Sequence, residues 1–219
     1  MAHIPDGVLA APVLIGGGVV TLGLLTVALR RLDDQALPQA AVLSAAFFVI
    51  SLISIPIGMT SVHLLLNGLM GLLLGWLAVP AILIALALQA VFFGHGGLLS
   101  LGVNTLNLAV PALLCGVLLR PWLHARGSGL AARPSPRRAF WVGALAGFVA
   151  TWLTGLAVAL ALLLSGQALG FAARAIALAY VPLAGLEAVI TATVLAFLVR
   201  VEPRLLGVPQ EAEPEGTDT

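Results

Sequence analysis

The chain opens Met1-Ala2-His3-Ile4-Pro5-Asp6-Gly7 and then runs directly into apolar sequence. A terminal amine, a backbone amide nitrogen and an imidazole in succession can wrap one small metal ion in a plane. Nickel and copper above all accept that nitrogen set in square-planar geometry. With alanine second, loss of the initiator methionine is expected. Ala2 then supplies the amine, His3 the amide and imidazole, and a fourth donor must come from elsewhere. If Met1 stays, Met1-Ala2-His3 completes the plane by itself. Either way the amine must lose its proton, which a reference pKa of about 7.7–8 makes easy. Pro5 pushes Ile4 toward extended geometry, and Asp6-Gly7 is a turn signal, so the terminal tripeptide is set off from the first helix. The competing reading is a frayed terminus with an incidental histidine.

His63 is the natural fourth donor, in Thr60-Ser61-Val62-His63-Leu64-Leu65 at the outer end of an expected span. An ionisable side chain there is a functional hypothesis by default. The alternative is a histidine hydrogen-bonded to its Ser, Thr or Asn neighbours. Asn67, four residues on, would share its helical face and orient the ring. His95, in Gly94-His95-Gly96-Gly97, is placed either to approach the ion or gate the site, or simply to be a solvated loop histidine. Glu187 is a lone acid inside the last apolar run. It must face the interior and find a donor, for which Asn104 or Asn107 would serve. A structural role is favoured for it over metal ligation. His124 reads as solvated.

These residues need a scaffold, and composition says which. Of 219 residues, 61% are apolar and 9% charged, with a mean hydropathy of +1.13. Soluble domains carry roughly a quarter charged residues. Seven apolar runs, roughly 8–29, 39–57, 62–79, 80–94, 103–119, 139–164 and 174–199, predict an all-α integral membrane bundle of about seven transmembrane helices. The third and fourth should form a tight hairpin around Val79-Pro80. Residues 1–200 read as one transmembrane domain, the substrate-binding domain of the family resemblance given below, and 201–219 as a polar, disordered tail, cytoplasmic in the orientation argued next. No cleavable signal peptide is expected, since only two uncharged residues precede the apolar sequence.

Every basic residue is arginine; lysine is absent. That removes a P-loop and Schiff-base chemistry. Cys115 alone forms no internal disulfide and reads as a buried hydrophobe. Short cytoplasmic loops collect positive charge. Placing the N-terminus outside and the C-terminus in the cytoplasm puts all arginines but Arg174 inside. It also brings His3, His63 and His95 to the outer face. Small residues four apart (Gly71 and Gly75, Gly143 and Gly147, Ala146 and Ala150) predict close helix packing, within this bundle or against another membrane subunit. The tryptophans read as interfacial anchors.

Four blocks in order resemble the CbiM/NikM family, the substrate-binding membrane subunits of energy-coupling-factor transporters for cobalt and nickel. His3-Ile4-Pro5-Asp6-Gly7 is similar to its opening His-Ile-Pro-Asp-Gly. Thr60-Ser61-Val62-His63-Leu64-Leu65 resembles its Thr-Ser-Gly-His-Leu-Leu. Phe93-Gly94-His95-Gly96-Gly97-Leu98 with Leu101-Gly102-Val103-Asn104 resembles its glycine-rich block. Pro182-Leu183-Ala184 with Glu187-Ala188-Val189-Ile190-Thr191 resembles its last signature. The resemblance implies Ni2+ or Co2+ as transported substrate, held by Ala2, His3 and His63, and no organic cofactor. It also implies a multi-pass protein of a bacterial or archaeal cell membrane, not itself an enzyme. Its expected partners are a coupling transmembrane subunit, two cytoplasmic ATPase subunits and a small accessory membrane subunit. Two departures stand out. The family has Met-His where this chain has Met-Ala-His, and Pro56-Ile57-Gly58-Met59 is bulkier than the usual Pro-Gly-Gly. The rivals are a cobalt subunit serving cobalamin synthesis, an intramembrane metalloenzyme built on His63, His95 and Glu187, and a vitamin-binding subunit of the same transporter class. Planar nitrogen coordination leans toward nickel.

Overall fold

The computed structural model describes residues 3–32, 37–57, 60–123 and 135–206. Met1, Ala2, His124, the Arg126 loop and the tail beyond residue 206 lie outside them. Helices α1 (Ala11–Arg30) and α2 (Leu37–Ile50) come first. A hairpin of β1 (Ser54–Ile57) and β2 (Thr60–His63) comes next, then α3 (Asn67–Leu74), α4 (Ala78–Phe93), α5 (Leu101–Leu119), α6 (Pro136–Ser165) and α7 (Gly170–Val201). Among the described residues, five apolar stretches are long enough to cross a membrane, and α2 is a shorter sixth.

Ser54–Ile57 and Thr60–His63 form strands, so residues 54–57 and 62–63 depart from the expected helical spans. The strands pair antiparallel, Ser54 with His63 and Ile57 with Thr60. Ile55, Ile57 and Val62 are β-branched, and Pro56 cannot continue a helical hydrogen-bond ladder, so local preference turns the segment extended. His63 therefore ends a strand. Asn67 is the first residue of α3, and the expected shared helical face with His63 does not exist.

The apolar run Asn67–Phe93 is long enough for one membrane span, and as a straight helix would measure about 40 Å. It is folded back instead. The rings of His63 and His95, just beyond its two ends, stand 5.4 Å apart, so the chain reverses between them. The reversal is at Gly75, whose φ of +54° ends α3 and opens a 3-10 turn over Gly75–Leu77. Pro80 is not the turn: it sits in the first turn of α4, where no N–H is needed. The expected hairpin thus exists, but with one short arm and a bend a few residues early.

That short arm is enclosed by protein. Every residue of α3 is buried. Its glycines allow backbone contact: a Cβ on Gly68 would lie 2.5 Å from the Ala146 carbonyl, and one on Gly71 would overlap the Ala112 carbonyl. Small residues do the same between α6 and α7, where a Cβ on Gly143 would be 2.9 Å from the Ala192 Cα and one on Gly147 2.5 Å from the Glu187 carbonyl. The small-residue spacing is consumed inside the bundle. Cys115 is buried too, its thiol donating to the Ala146 carbonyl at 3.6 Å.

The bundle has two unlike ends. At one, Arg31 lies 4.8 Å from the centre of the Trp76 ring, and Gly75 approaches the Arg120 guanidinium. At the other, Ile4 and Leu9 pack with Val103, Val158, Leu162 and Ala173, and the histidines gather.

Candidate metal centre

The N-terminal segment is tied down residue by residue. Ile4 N–H donates to Asn104 Oδ1 at 2.9 Å, and Asn104 Nδ2 donates back to the Ile4 carbonyl at 3.0 Å. Ser100 Oγ donates to the same carbonyl at 2.7 Å. The Asp6 carboxylate accepts from the backbone N–H of Ser100 at 2.9 Å and of Leu99 at 3.3 Å. Desolvation is the largest single influence and raises its pKa, but the hydrogen bonds from Ser100, Leu99 and Leu98 together hold it below the usual carboxylate value. Gly96 and Gly97 are needed for this approach. Gly96 has φ +78°, and a Cβ there would sit 3.2 Å from the His3 Cβ. A Cβ on Gly97 would overlap the Asp6 carboxylate. His-Ile-Pro-Asp-Gly and the Gly-His-Gly-Gly…Asn block are thus two halves of one clamp. It leaves His3 only 6% exposed.

His63 is brought in by the hairpin and held by the segment after it. Residues 64–66 are buried without helix or strand partners, and Leu66 has φ +45°, a region that costs a branched side chain about 1 kcal/mol or more. Unpaired N–H groups in an apolar interior are costly. Glu187 meets them: its carboxylate accepts from Leu65 N–H and from Leu66 N–H, the latter at 3.1 and 3.2 Å. The structural role expected of Glu187 therefore has a concrete form, with different partners. Asn104 is spent on Ile4, and Asn107 Nδ2 is buried without a hydrogen-bond partner. The expected orienting role of Asn67 is replaced in the same way. Its amide donates to the Leu108 carbonyl at 3.2 Å and to Thr154 Oγ1 at 2.9 Å, fixing α3 against α5 and α6.

His95 comes directly after the left-handed Gly94 that ends α4. Its ring stacks on Phe93 at 6.1 Å and leans on His63 at 5.4 Å. His3 and His63 are electrically coupled to it and to each other. Burial first, then the nearby His63 and His95, push the His3 pKa down to about 3. His63 is lowered by burial and by His95, partly opposed by a hydrogen bond to the Ser51 backbone. Both imidazoles are neutral at pH 7, the protonation state that binds metal.

The donor chemistry fits a small ion. His63 Nδ1 is buried with no hydrogen-bond partner, an expensive arrangement unless something else uses the lone pair. Among the described residues, no group of three or more His, Cys, Asp or Glu side chains is placed to hold a metal. The Glu187 carboxylate that the metalloenzyme reading required is engaged by Leu65 and Leu66.

Two contributors went unnoticed in the sequence. Ser100 caps the Ile4 carbonyl, and Gln89, the one polar side chain of α4, reaches the Ser51 hydroxyl. The signal for Gln89 was available: a single amide in a run of aliphatic residues.

A sequence model of the family described as "Cobalt uptake substrate-specific transmembrane region", CbiM, matches residues 3–205. The chain belongs to the CbiM family. The fused nickel transport protein NikMN of Rhodobacter capsulatus is 36% identical over 93% of this chain and 63% of its own length. The cobalt transport protein CbiM of Sorangium cellulosum is 33% identical over 93% and 94%. A Haemophilus influenzae protein named for metal transport is 48% identical over 56% of this chain and 59% of its own. The chain thus spans about three fifths of the Haemophilus and Rhodobacter proteins. Crystal structures of a transition metal transporter, one of them truncated, superpose with a TM-score of 0.74 at 30% identity. They cover 91% of this chain, with 99% of the truncated protein and 93% of the other.

Proposed function

We propose that this CbiM-family chain is the substrate-binding membrane subunit of a transporter that imports divalent nickel or cobalt. The ion is held by the Ala2 amine after loss of Met1, by the His3 amide and imidazole, and by His63. One observation supports the reading: a buried His63 whose Nδ1 has no hydrogen-bond partner shares one end of the bundle with a buried His3, whose neighbours Ile4 and Asp6 are held by Asn104, Ser100 and Leu99. An N-out, C-in orientation puts the histidine end outside, where the ion is captured, and the Arg31 and Arg120 end in the cytoplasm, as positive charge prefers.

The partners proposed are a coupling membrane subunit, two cytoplasmic ATPases and a small accessory membrane subunit, in a bacterial or archaeal cell membrane. Nickel is favoured over a cobalt role in cobalamin synthesis because amine, amide and two imidazoles form a planar nitrogen set. Relatives named for each metal keep both in the test.

Equilibrium dialysis of the purified chain with Ni2+ and with Co2+ tests the site. His63→Ala should abolish high-affinity binding while the protein remains folded, because His63 Nδ1 contributes nothing to internal hydrogen bonding. Near-normal binding by a folded His63→Ala protein overturns the assignment.

A further inference from the structure

A groove of about 670 Å³ opens on the flank of the bundle, between residues 12–17 of α1, 103–114 of α5 and 153–164 of α6. Gly17, Val103, Pro111 and Ala161 form its buried floor. Leu114, Leu160 and Leu164 stand exposed along its rim. Gly16 keeps one side open, since a Cβ there would meet nothing within 4 Å. Along α5 and α6 the groove is about 16 Å long, half of a hydrocarbon core about 30 Å thick. It occupies the half at the histidine end, where α5 begins just after the Ser100 that holds Ile4. One residue of the lining is polar. Asn107 is 4% exposed, and its Nδ2 has no hydrogen-bond partner. The other two asparagines of the chain spend theirs within the protein, Asn67 on the Leu108 carbonyl and Thr154, Asn104 on the Ile4 carbonyl. An unmet amide donor beside lipid is a cost that a leucine at the same position would not carry.

We propose that this groove binds one acyl chain of a glycerophospholipid, drawn from the leaflet on the histidine side, whose ester carbonyl accepts from Asn107 Nδ2. An acyl ester carries one acceptor at its head and hydrocarbon beyond it. The groove offers one donor and otherwise apolar walls, so the two are complementary. Length separates a lipid from a partner's transmembrane helix. A helix crosses the whole hydrocarbon core, whereas the groove ends at Leu114 and Leu153, about halfway across. An acyl chain also ends near the middle of the bilayer. The groove backs onto the N-terminal clamp: Val103 is part of its floor and also packs in the cluster that seats Ile4. The lipid therefore stands behind the wall against which the N-terminal segment is held. The site is independent of which metal, if any, the histidines bind.

The test titrates the full chain, stripped of lipid in detergent, with two probes and counts bound lipid by native mass spectrometry. The probes are dioleoyl phosphatidylglycerol and its diether counterpart, which has the same headgroup and chain length but no ester carbonyls. The wild-type chain should bind one diester lipid about 2–10-fold more tightly than the diether, the worth of one hydrogen bond. Asn107→Leu should bring the diester down to the diether's affinity and leave the diether unchanged. Gly16→Leu places a side chain in the open side of the groove and should weaken both lipids. If Asn107→Leu does not fold, the diester and diether comparison on the wild-type chain carries the test. Equal affinity of the wild-type chain for the two lipids overturns the ester contact. Unchanged binding of both lipids in Gly16→Leu overturns the groove as the site.

Discussion

Ile4 and Asn104, a hundred residues apart, exchange two hydrogen bonds, 2.9 Å from the Ile4 amide and 3.0 Å back to its carbonyl. A side-chain amide here imitates a β-ladder partner and satisfies both backbone groups of one buried residue. The consequence is that His3, next in the chain, is delivered to one place. Asn104→Ala should leave the Ile4 N–H and part of its carbonyl capacity unmet, at a cost of about 1–3 kcal/mol. Ni2+ affinity should fall, because the terminus must be ordered during binding. Amide exchange at Ile4 and dialysis report the two effects, and fast exchange with unchanged affinity would disprove the link.

Glu187 gives the second prediction. Glu187→Gln keeps an acceptor for Leu66 N–H but aims an amide donor at backbone that is already all donors. Binding stoichiometry should be intact, with a lower melting temperature in detergent. Glu187→Ala should cost more, since the Leu65 and Leu66 N–H groups are each left unmet at roughly 1–3 kcal/mol. Loss of the ion in a stable Glu187→Gln protein would show that the carboxylate does more than hold the loop.

The legibility of these residues in sequence was uneven, for physical reasons. The helices from α4 onward were readable because apolar runs of that length have few other solutions, and their ends fell within a few residues of expectation. His3, His63 and His95 could be assigned to one end from the alternation of apolar runs, with arginine placement saying only which side that end should face. Residues 54–66 were not readable. A periodicity argument cannot tell a short apolar strand from a buried helix, and the N–H groups of Leu65 and Leu66 are met by Glu187, more than a hundred residues away, a partner that local sequence does not reveal. The partners of Asn67 and Asn104 failed for a related reason. Each was assigned by proximity in sequence or by shared depth, whereas a buried amide goes where backbone groups are unmet.

Acid should loosen the site in a defined window. His3 in the folded protein has a pKa of about 3, against about 6.5 when unfolded. Above pH 6.5 both states hold a neutral ring and stability is unaffected. As pH falls from 6.5 toward 3 the unfolded chain takes up the proton first, so stability is lost through that interval and levels off below it. Melting temperatures of the metal-free protein between pH 8 and pH 4 should show this decline, and His3→Ala should flatten it. Equal slopes in the two proteins would mean that His3 is not buried as a neutral ring.

Orientation is tested by cysteine labelling once Cys115 has been replaced. A cysteine at Gly94, an open position where an added Cβ would meet nothing within 4 Å, should react with an impermeant reagent in intact cells. One at Arg126 should react only in inverted vesicles. Gly94 has φ +64°, so a labelled protein must first be shown to fold; a cysteine at the exposed Leu98 is the alternative. Labelling of both sites from the same side would end the N-out, C-in arrangement.

The first residue decides the most. If Met1 is removed, Ala2 supplies the amine and His63 must complete the plane. If Met1 is retained, Met1-Ala2-His3 has four nitrogens of its own and His63 becomes dispensable. The clamp on Ile4 and Asp6 favours the former, because it holds His3 against the rest of the site rather than leaving the tripeptide to close on itself. Intact mass of the purified protein should therefore show Met1 missing. An uncleaved extension ahead of Ala2 converts the amine into an ordinary amide, which neither titrates near neutral pH nor offers the same lone pair, and should abolish high-affinity Ni2+ binding. A tag after Thr219 should leave binding unchanged. Removing the extension with a protease that leaves Ala2 first should restore the affinity, separating loss of the amine from misfolding. Full-affinity binding with the extension still attached would rule out the terminal-amine site.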